Sequence, residues 1–362
     1  MIKFFLILSF FFSLFFAQAE EGWKQCQNEL VKKGFNKYTN KYSDSFSIYH
    51  LNNIFYFGLK NSSEIYSNDS NVINQCESKT KIDPLEKIVL ISSTLVEGFI
   101  ELNENQKIVG IGEKKYIYDS DKKLPNAEDL GTIPSIEKII QLKPNIIIGY
   151  DSPALKSLYS RLETFGFPIL FINDYEEDHP LGRAELRIII GALFGKINAS
   201  KNQFDLIEKN YFDLKKTVDK KVKVLLGDQL ANGPWKKISP RADFFKIVSD
   251  AGGIDLLSNF QSDYLNPEEI LKKMPEAKIW LPQNSLEKLD QVSGRSTFMN
   301  LLVKNSEFRI VTYGKRVSQN GGAEYWDRAL MRPDLLLADL IKVLGSSSLK
   351  NKHELIWYRE LR

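Results

Sequence analysis

The sequence repeats one pattern: SIEKIIQLKPNIII at residues 135–148 returns as NPEEILKKMPEAKIW at residues 266–280. Each copy opens on a helix-capping residue and has a glutamate two places later, Glu137 or Glu268. A proline follows seven places after each glutamate and precedes an apolar run typical of a strand. Two similar helix–strand units predict two similar lobes. A matched glutamate in the first turn of each helix indicates that one partner contacts both lobes.

The N-terminus has the features of a secretory signal peptide. Lys3 precedes an apolar run over residues 4–16, and Ala17-Gln18-Ala19 supplies a small-x-small cleavage site. The run is shorter than the about 20 residues that span a bilayer. We therefore expect cleavage after Ala19 and a soluble exported protein, with an uncleaved anchor as the alternative. No cysteine follows the site directly, so we expect no lipid anchor, and no later segment has membrane-spanning length.

Composition excludes some classes of protein. The 362 residues carry a net charge of +3 with 43% hydrophobic residues, so globular cores are expected and nothing indicates a nucleic-acid partner. Cys26 and Cys76 are the two cysteines of the chain. In an oxidising compartment they predict one disulfide, and the alternative is a pair of buried thiols.

Short, continuous apolar runs alternate with amphipathic segments along most of the chain. Runs of this kind are typical of parallel strands buried on both faces. The predicted strands are 87–91, 107–111, 145–149, 168–172, 222–227, 278–282 and 308–313. The predicted helices are 135–142, 153–165, 181–194, 240–251, 267–274, 297–303 and 333–344. Alternation of strands and helices predicts an α/β fold with parallel sheets in two lobes.

One long helix is predicted between the lobes. Phe204, Ile207, Tyr211 and Leu214 step by three and four, which indicates an amphipathic helix of about 20 residues over 199–218. A single helix is a stiff connection, so we expect only modest hinge closure. The predicted segments are an extension packed on the first lobe (20–83), the first lobe (84–196), the linker helix (197–220), the second lobe (221–345) and a tail (346–362). Within the extension we predict weak strands near 46–59 and a loop at 61–74.

Four stretches carry a resemblance to a known family. They read EDLGTIPSIEKIIQLKPNIIIGY, HPLGRAELRIIIGALFG, NPEEILKKMPEAKIWLP and EYWDRALMRPDLLLADLIKVL. Over about residues 84–345 the chain resembles the iron-siderophore, haem and cobalamin periplasmic-binding proteins of ABC importers. The resemblance implies two α/β lobes bridged by one long helix, with an iron or cobalt chelate bound in the cleft between them. It also implies a monomer in the periplasm, without a resident cofactor, that delivers its ligand to an ABC permease in the inner membrane.

The resemblance assigns a role to the two matched glutamates. By motif position, Glu137 and Glu268 would meet arginines of the permease, and Glu269 is a neighbour easily mistaken for Glu268. The alternative is local helix chemistry, because a carboxylate in the first turn interacts favourably with the helix dipole. The matched context in both lobes favours docking, for which the planar arginine–carboxylate pair gives orientation as well as attraction.

Candidates for the cleft follow the strand ends, because ligands of open α/β sheets bind beyond the carboxyl ends of the strands. The selected residues are Ser92, Ser93, Tyr116, Tyr118, Tyr150, Trp235, Arg241, Arg295, Tyr325 and Trp326. Further candidates are Thr94, Asp151, Asp174, Tyr175, Gln229 and Gln283. Aromatic side chains with two or three cations would suit a large, flat or anionic chelate. The alternative is that these loops simply pack on their lobes.

Three residues of the HPLGRAEL stretch have two interpretations. We expect Arg183 and Glu185 to form a structural pair at the start of a helix. His179 precedes Pro180 and is either a solvent-facing loop residue or, with less support, an axial ligand to haem iron.

The sequence contains none of three common enzyme motifs. There is no GxSxG elbow, phosphate loop or HExxH, and His50, His179 and His353 fall in separate segments, so no zinc centre is predicted. Two functions remain: a binding protein that supplies an importer, and a periplasmic sensor or scavenger on the same fold. An ABC permease encoded beside the gene would favour the first.

Overall fold

The computed structural model describes residues 22–60, 62, 64–69, 76, 79–82, 85–231, 233–304, 309–349 and 351–361. The predicted signal peptide lies outside the described residues, as does part of the predicted loop at 61–74. No helix of the described chain combines the length and the apolar character that a membrane crossing needs.

The N-terminal extension is a small sheet with one helix. Helix α1 covers residues 22–32, and the sheet has the order β1-β2-β3-β4-β5, antiparallel except for its last pair. Its strands are β1 (Asn36–Lys37), β2 (Phe46–Leu51), β3 (Ile54–Leu59), β4 (Ile65–Ser67) and β5 (Lys79–Lys81). The prediction of a loop throughout 61–74 is wrong, because Ile65 and Tyr66 are buried in β4. A disulfide joins Cys26 of α1 to Cys76, with their Cα atoms 4.9 Å apart.

Buried carboxylates hold the extension against the first lobe. Glu185 is fully buried and accepts hydrogen bonds from the backbone N–H groups of Lys41, Tyr42 and Ser43, at 2.8–2.9 Å, and from the Tyr38 hydroxyl at 2.8 Å. Because a buried carboxylate requires such partners, Glu185 fixes the path of the loop between β1 and β2. The expectation that Arg183 pairs with Glu185 is wrong, since Glu185 accepts its hydrogen bonds from the extension instead.

The first lobe has one parallel sheet of order β10-β9-β6-β7-β8. Its strands are β6 (Ile88–Leu90), β7 (Ile108–Ile111), β8 (Glu128–Asp129), β9 (Ile146–Gly149) and β10 (Ile169–Phe171). Its helices are α2 (Val96–Glu101), α3 (Ser120–Lys123), α4 (Ile136–Leu142), α5 (Lys156–Thr164), α6 (Pro180–Glu185) and α7 (Arg187–Leu193). Every residue of β6 and β9 is buried, as continuous apolar runs predict. The helix predicted at 181–194 is interrupted at Leu186, which separates α6 from α7.

Helix α8 (Ile197–Lys216) joins the two lobes. Its 20 residues give a length of about 30 Å, and it buries Phe204, Ile207 and Tyr211, as their spacing predicted. One hydrophobic core runs from Ile88 in the first sheet, past α8, to Val224 in the second. A shared core of this kind favours small relative movements of the lobes.

The second lobe has a mixed five-stranded sheet, of order β14-β11-β16-β17-β18, and a small antiparallel sheet, of order β12-β13-β15. The strands are β11 (Val222–Leu226), β12 (Asp228–Gln229), β13 (Trp235–Lys236), β14 (Gly253–Asp255), β15 (Tyr264–Leu265), β16 (Ile279–Leu281), β17 (Arg309–Thr312) and β18 (Arg359–Glu360). The helices are α9 (Asp243–Asp250), α10 (Pro267–Lys273), α11 (Leu289–Ser293), α12 (Thr297–Lys304), α13 (Glu324–Asp327) and α14 (Pro333–Val343). The α/β fold with two lobes and parallel strands is therefore confirmed.

The C-terminal tail belongs to the second lobe. Strand β18 pairs antiparallel with β17 at the edge of the main sheet. Asp339 of α14 is fully buried and accepts hydrogen bonds from the backbone N–H groups of Ile356, Trp357 and Tyr358. This carboxylate fixes the path of the tail toward the sheet.

Candidate functional site

A cavity of about 280 Å³ opens at the carboxyl ends of three first-lobe strands. Parallel strands end at one edge of their sheet, so the loops after β6, β7 and β9 meet there. The first lobe contributes Ile91, Ser92, Ser93, Gly112, Glu113, Tyr116, Ile117 and Tyr150 to the lining. The second lobe contributes Gly322, Ala323, Trp326 and Asp327. Five of the sequence-selected residues therefore lie around one cavity: Ser92, Ser93, Tyr116, Tyr150 and Trp326.

A tight turn after β7 shapes the first-lobe wall. A Cβ at Gly112 would lie 2.4 Å from the carbonyl oxygen of Ile91, so only glycine fits beside the neighbouring strand. Glu113 follows in the left-handed region, with φ +54° and ψ +41°. Its Oε1 accepts a hydrogen bond of 2.8 Å from the Thr132 hydroxyl. The sequence analysis did not select Glu113, although this residue lies only two positions after the end of β7.

The second lobe closes one side of the cavity through the turn before α13. The Ser318 hydroxyl and the Asn320 side-chain amide each donate a hydrogen bond of 3.1 Å to the carbonyl oxygen of Lys115. Gly322 packs directly against Tyr116, which leaves no room for a Cβ. The turn therefore ties the lobes together at the edge of the cavity.

A buried charge network lies behind this wall. Lys123 of the first lobe donates to Glu324 at 3.0 Å and to Asp327 at 3.2 Å. Glu324 also pairs with Arg316 at 2.8 Å and accepts a hydrogen bond of 3.2 Å from the Trp357 indole. Burial raises the pKa of Asp327 to about 6, against the opposing effect of Lys123. Opposite charges from the two lobes thus meet beneath α13, which holds Trp326 in place.

The expectation that Trp235 lines the cleft is wrong. Its side chain is fully buried in the second lobe, and its indole donates a hydrogen bond of 3.0 Å to the carbonyl oxygen of Leu226. The ring packs 5.4 Å from Trp280 and 6.1 Å from Phe298, measured between centroids. The pairing of β13 with β12 and β15 turns the indole into the core, and a single sequence does not reveal that pairing.

Other selected residues also lie outside this cavity. Tyr325 is 2% exposed and stacks on Tyr313 at 4.3 Å. Arg295 donates to both carboxylate oxygens of Asp228, at 2.9 and 3.1 Å. The ring of Tyr118 lies 4.8 Å from the guanidinium carbon of Arg316. None of these three residues lines the cavity that contains Trp326. Tyr325 is too deeply buried to reach a ligand there, and a binding role for Tyr118 and Arg295 stays a prediction.

A second cavity, of about 420 Å³, contains Arg241 and His179. It lies where the start of α6 faces α9, and its lining also includes Asp178, Pro240, Phe245, Lys246, Ser249 and Asp250. Arg241 is thus exposed to a different cavity from Trp326. His179 Nδ1 accepts a hydrogen bond of 3.0 Å from the N–H of Leu181 and so caps α6. Burial, with Lys246 nearby, lowers the pKa of His179 to about 4, so the ring is neutral near pH 7.

Arg183 connects the lobes at the base of the cleft. Its Nε lies 3.3 Å from a carboxylate oxygen of Asp243 in the second lobe and 3.8 Å from one of Asp174 in the first. Burial raises the pKa of Asp174, while Arg183 opposes that effect. Arg183 is 8% exposed, so it acts as a structural charge between two carboxylates.

The two matched glutamates occupy equivalent, exposed positions. Glu137 is the second residue of α4 and Glu268 is the second residue of α10. The Ser135 hydroxyl donates to Glu137 at 2.7 Å, and this bond lowers the pKa of Glu137. Glu269 accepts a hydrogen bond of 2.8 Å from the N–H of Asn266 and so completes a capping box. Glu269 is therefore the capping residue, and Glu268 extends into solvent.

Each of these glutamates has an exposed apolar residue four places before it. Ile133 is 71% exposed and precedes Glu137, and Tyr264 is 52% exposed and precedes Glu268. The sequence echo thus continues at the surface as two similar patches, each with one carboxylate and one apolar side chain. We call these patches the Glu137 patch (Ile133 and Glu137) and the Glu268 patch (Tyr264 and Glu268).

No group of three or more His, Cys, Asp or Glu side chains in the described part of the chain is placed to hold a metal ion.

Comparison with known proteins identifies related chains. The family model described as "Periplasmic binding protein" matches residues 88–303. An uncharacterized lipoprotein of Methanocaldococcus jannaschii is 23% identical over 292 residues, which are 74% of this chain and 67% of the relative. The match with the family model covers the first lobe from β6 onward, the linker helix and the second lobe as far as Val303.

Solved structures share the fold. A periplasmic haem-binding protein of Pseudomonas aeruginosa superposes with a TM-score of 0.57 at 16% identity, over 76% of this chain and 98% of its own. A siderophore-binding protein of Vibrio cholerae with bound Fe³⁺–Desferal gives 0.53 at 16% identity, over 73% and 98%. An ABC transporter substrate-binding protein of Listeria monocytogenes gives 0.53 at 19% identity, over 72% and 99%.

Proposed function

The chain belongs to the periplasmic binding protein family, and from that premise we propose that it captures a metal chelate and delivers it to an ABC permease. The chelate would be a ferric siderophore, haem or cobalamin, and the protein would act as an exported, periplasmic monomer. The observation that carries this proposal is the cavity that Ser92, Tyr116 and Tyr150 of the first lobe share with Trp326 of the second. We assign binding, and no chemical step, to this cavity.

The lining suits the recognition of a chelate. Binding sites combine apolar and aromatic surface with a few placed polar groups. Here Tyr116, Tyr150 and Trp326 supply aromatic surface, and the hydroxyls of Ser92 and Ser93 supply hydrogen bonds. At about 280 Å³ the closed cavity is near the small end of ligand sites, which begin at about 300 Å³. A large chelate would therefore hold the lobes further apart than they stand here.

Delivery would use the Glu137 and Glu268 patches. A carboxylate that is exposed at the start of a helix is available to an arginine of another protein, and such pairs fix orientation as well as distance. The exposed apolar side chain four residues before each carboxylate would add contact area to such an interface. Because one patch lies on each lobe, a permease that contacts both would also register the separation of the lobes.

The alternative function is a periplasmic sensor or scavenger that binds the same ligand without transport. The matched pair of exposed patches favours transport, because a scavenger has no partner that must contact both lobes.

The identity of the ligand is tested by purifying the protein from its native host and recording its visible absorption spectrum. Haem, ferric catecholates, ferric hydroxamates and cobalamin absorb in different regions, so a bound chelate would be identified by its bands. A colourless protein that also binds none of these four ligand classes in titrations would contradict the proposed function.

A further inference from the structure

The described residues that line the cavity include acidic side chains but no basic ones. Among its twelve described residues, Glu113 and Asp327 carry carboxylates, and none is Lys, Arg or His. The aromatic-and-cation site expected from the sequence is therefore only partly present: three of the six selected aromatic residues line the cavity, and neither selected arginine does.

The nearby cations already have partners. Lys123 bonds Glu324 and Asp327, Arg316 pairs with Glu324, and Arg295 bonds Asp228. Lys115 is exposed beside Tyr116, with its Nζ 5.0 Å from the ring centroid, and it is outside the lining. An anionic ligand in this cavity would thus find no lining cation to replace its lost hydration.

Glu113 provides the negative charge of the lining. The Asp327 carboxylate is 3.2 Å from the Lys123 ammonium, which balances its charge. Glu113 accepts a bond from the neutral Thr132 hydroxyl, so its charge is not balanced in this way. A glutamate is uncommon in the left-handed region, which glycine adopts without strain. Residues held in strained conformations are concentrated at functional sites, and here the strained residue is part of the cavity lining.

The aromatic walls favour the same sign of ligand charge. The faces of Tyr and Trp rings attract cations, and Tyr116, Tyr150 and Trp326 all line the cavity. A carboxylate and three aromatic rings together form a site for a neutral or positively charged group.

On the premise of the binding function above, we propose that the cleft selects neutral or cationic chelates, of the ferric trihydroxamate class, over anionic ones such as haem or ferric tris-catecholates. Glu113 is the residue that sets this preference. Tyr116 and Trp326 contribute through their ring faces.

Three chelates with the same iron centre test this selectivity in the full mature protein. The ferric complex of desferrioxamine B carries a free ammonium group. In its N-acetyl derivative a neutral amide replaces that ammonium. In its N-succinyl derivative the amide carries an additional carboxylate. We expect the cationic complex to bind at least about tenfold more tightly than the succinylated one, with the acetylated complex between them. Equal or tighter binding of the succinylated complex would overturn the inference.

A panel of other chelates separates this inference from the proposed function. If haem or a ferric tris-catecholate binds more tightly than all three complexes, the charge inference is wrong and the binding function stands. If no chelate of any charge binds, the proposed function is wrong and the inference fails with it.

Two variants test the role of Glu113. Glu113→Gln should lower the ratio of cationic to anionic affinity by about two- to fivefold, the range of one partly exposed charge pair. Glu128→Gln is the control, since it removes the same charge from exposed strand β8 outside the lining and should leave the ratio unchanged. If Glu113→Gln does not fold, Glu113→Gly suits the left-handed backbone and removes the same carboxylate. An unchanged ratio in the variant that folds would show that Glu113 does not set the preference.

Discussion

Gly322 and Tyr116 meet across the cleft so closely that a Cβ on Gly322 would lie 1.9 Å from the carbonyl oxygen of Tyr116. Both residues line the cavity, one from each lobe. Hydrogen bonds from Ser318 and Asn320 to Lys115 strengthen the same contact. The closed form of the cleft therefore depends on a glycine at position 322.

Substitution of that glycine tests the closed form. In Gly322→Ala the added methyl group forces the turn away from Tyr116, and overpacking of this kind costs about 1–3 kcal/mol. Because a large chelate holds the lobes apart, loss of this contact favours the open form that binds it. We therefore expect the affinity for the chelate to rise by about fivefold, as measured by quenching of tryptophan fluorescence. Gly233→Ala is the matched control, because a Cβ there would meet nothing closer than 3.6 Å. Wild-type affinity in Gly322→Ala would show that this contact does not close the cleft.

The two tryptophans should respond differently to replacement. Trp326 is 43% exposed at the cavity, so Trp326→Ala should weaken chelate binding by about three- to tenfold, the worth of one aromatic contact. Stability should change little. Trp235→Ala should instead lower the free energy of unfolding by about 3–5 kcal/mol, as for other buried aromatic residues. Denaturant unfolding and ligand titration of both variants distinguish these effects, and the reverse pattern would refute the placement of both rings.

The disulfide should stabilise the extension without affecting the ligand. Cys26 and Cys76 are separated by 50 residues, and closure of a loop of that length contributes about 4 kcal/mol in the chain-entropy model. The double variant Cys26→Ser, Cys76→Ser should therefore unfold at lower denaturant concentration and bind the chelate with wild-type affinity. If mass spectrometry finds both thiols free in the exported protein, the assignment of a disulfide between Cys26 and Cys76 is wrong.

The regular elements of both lobes could be predicted because their signals are local. Every residue of β9 is apolar or glycine and buried on both faces, and the spacing from Phe204 to Tyr211 identifies one buried stripe of α8. The strand β14 was missed, because Gly253–Asp255 carries no apolar run. Strand β18 was missed because its position depends on the distant carboxylate of Asp339.

The site was predicted in part for the same reason. Ser92 and Tyr150 lie within two residues of a strand end, and Tyr116 lies in the loop after β7, so the rule for strand ends located them. Trp235 and Trp326 look alike in the sequence, each a tryptophan in a loop near glycine. The pairing of β13 places Trp235 in the core, and the position of α13 places Trp326 at the cavity.

The apolar members of the two docking patches give a prediction of their own. Ile133→Ser and Tyr264→Ser should each reduce uptake, because burial of such a side chain contributes up to about 3 kcal/mol to docking. Ligand affinity should be unchanged, since neither residue lines the cavity. Val31→Ser is the control, as Val31 is 57% exposed on the extension. If both patch variants take up the chelate as well as the Val31→Ser control does, the apolar residues do not contribute to docking, and only the glutamates remain as docking residues.

The central claim is that a chelate held in the cleft passes to a permease through Glu137 and Glu268. It is tested most directly by uptake of labelled chelate in cells whose only copy carries Glu137→Lys with Glu268→Lys. We expect uptake to fall to the level of cells without the protein, because each reversal replaces attraction to an arginine with repulsion. Ligand affinity of the purified variant should match the wild type, because both carboxylates are exposed at helix starts. The free energy of unfolding should fall only slightly, by about 0.3–1 kcal/mol per site. Wild-type uptake by this variant would contradict the claim, and loss of ligand binding would place the glutamates in the cleft instead.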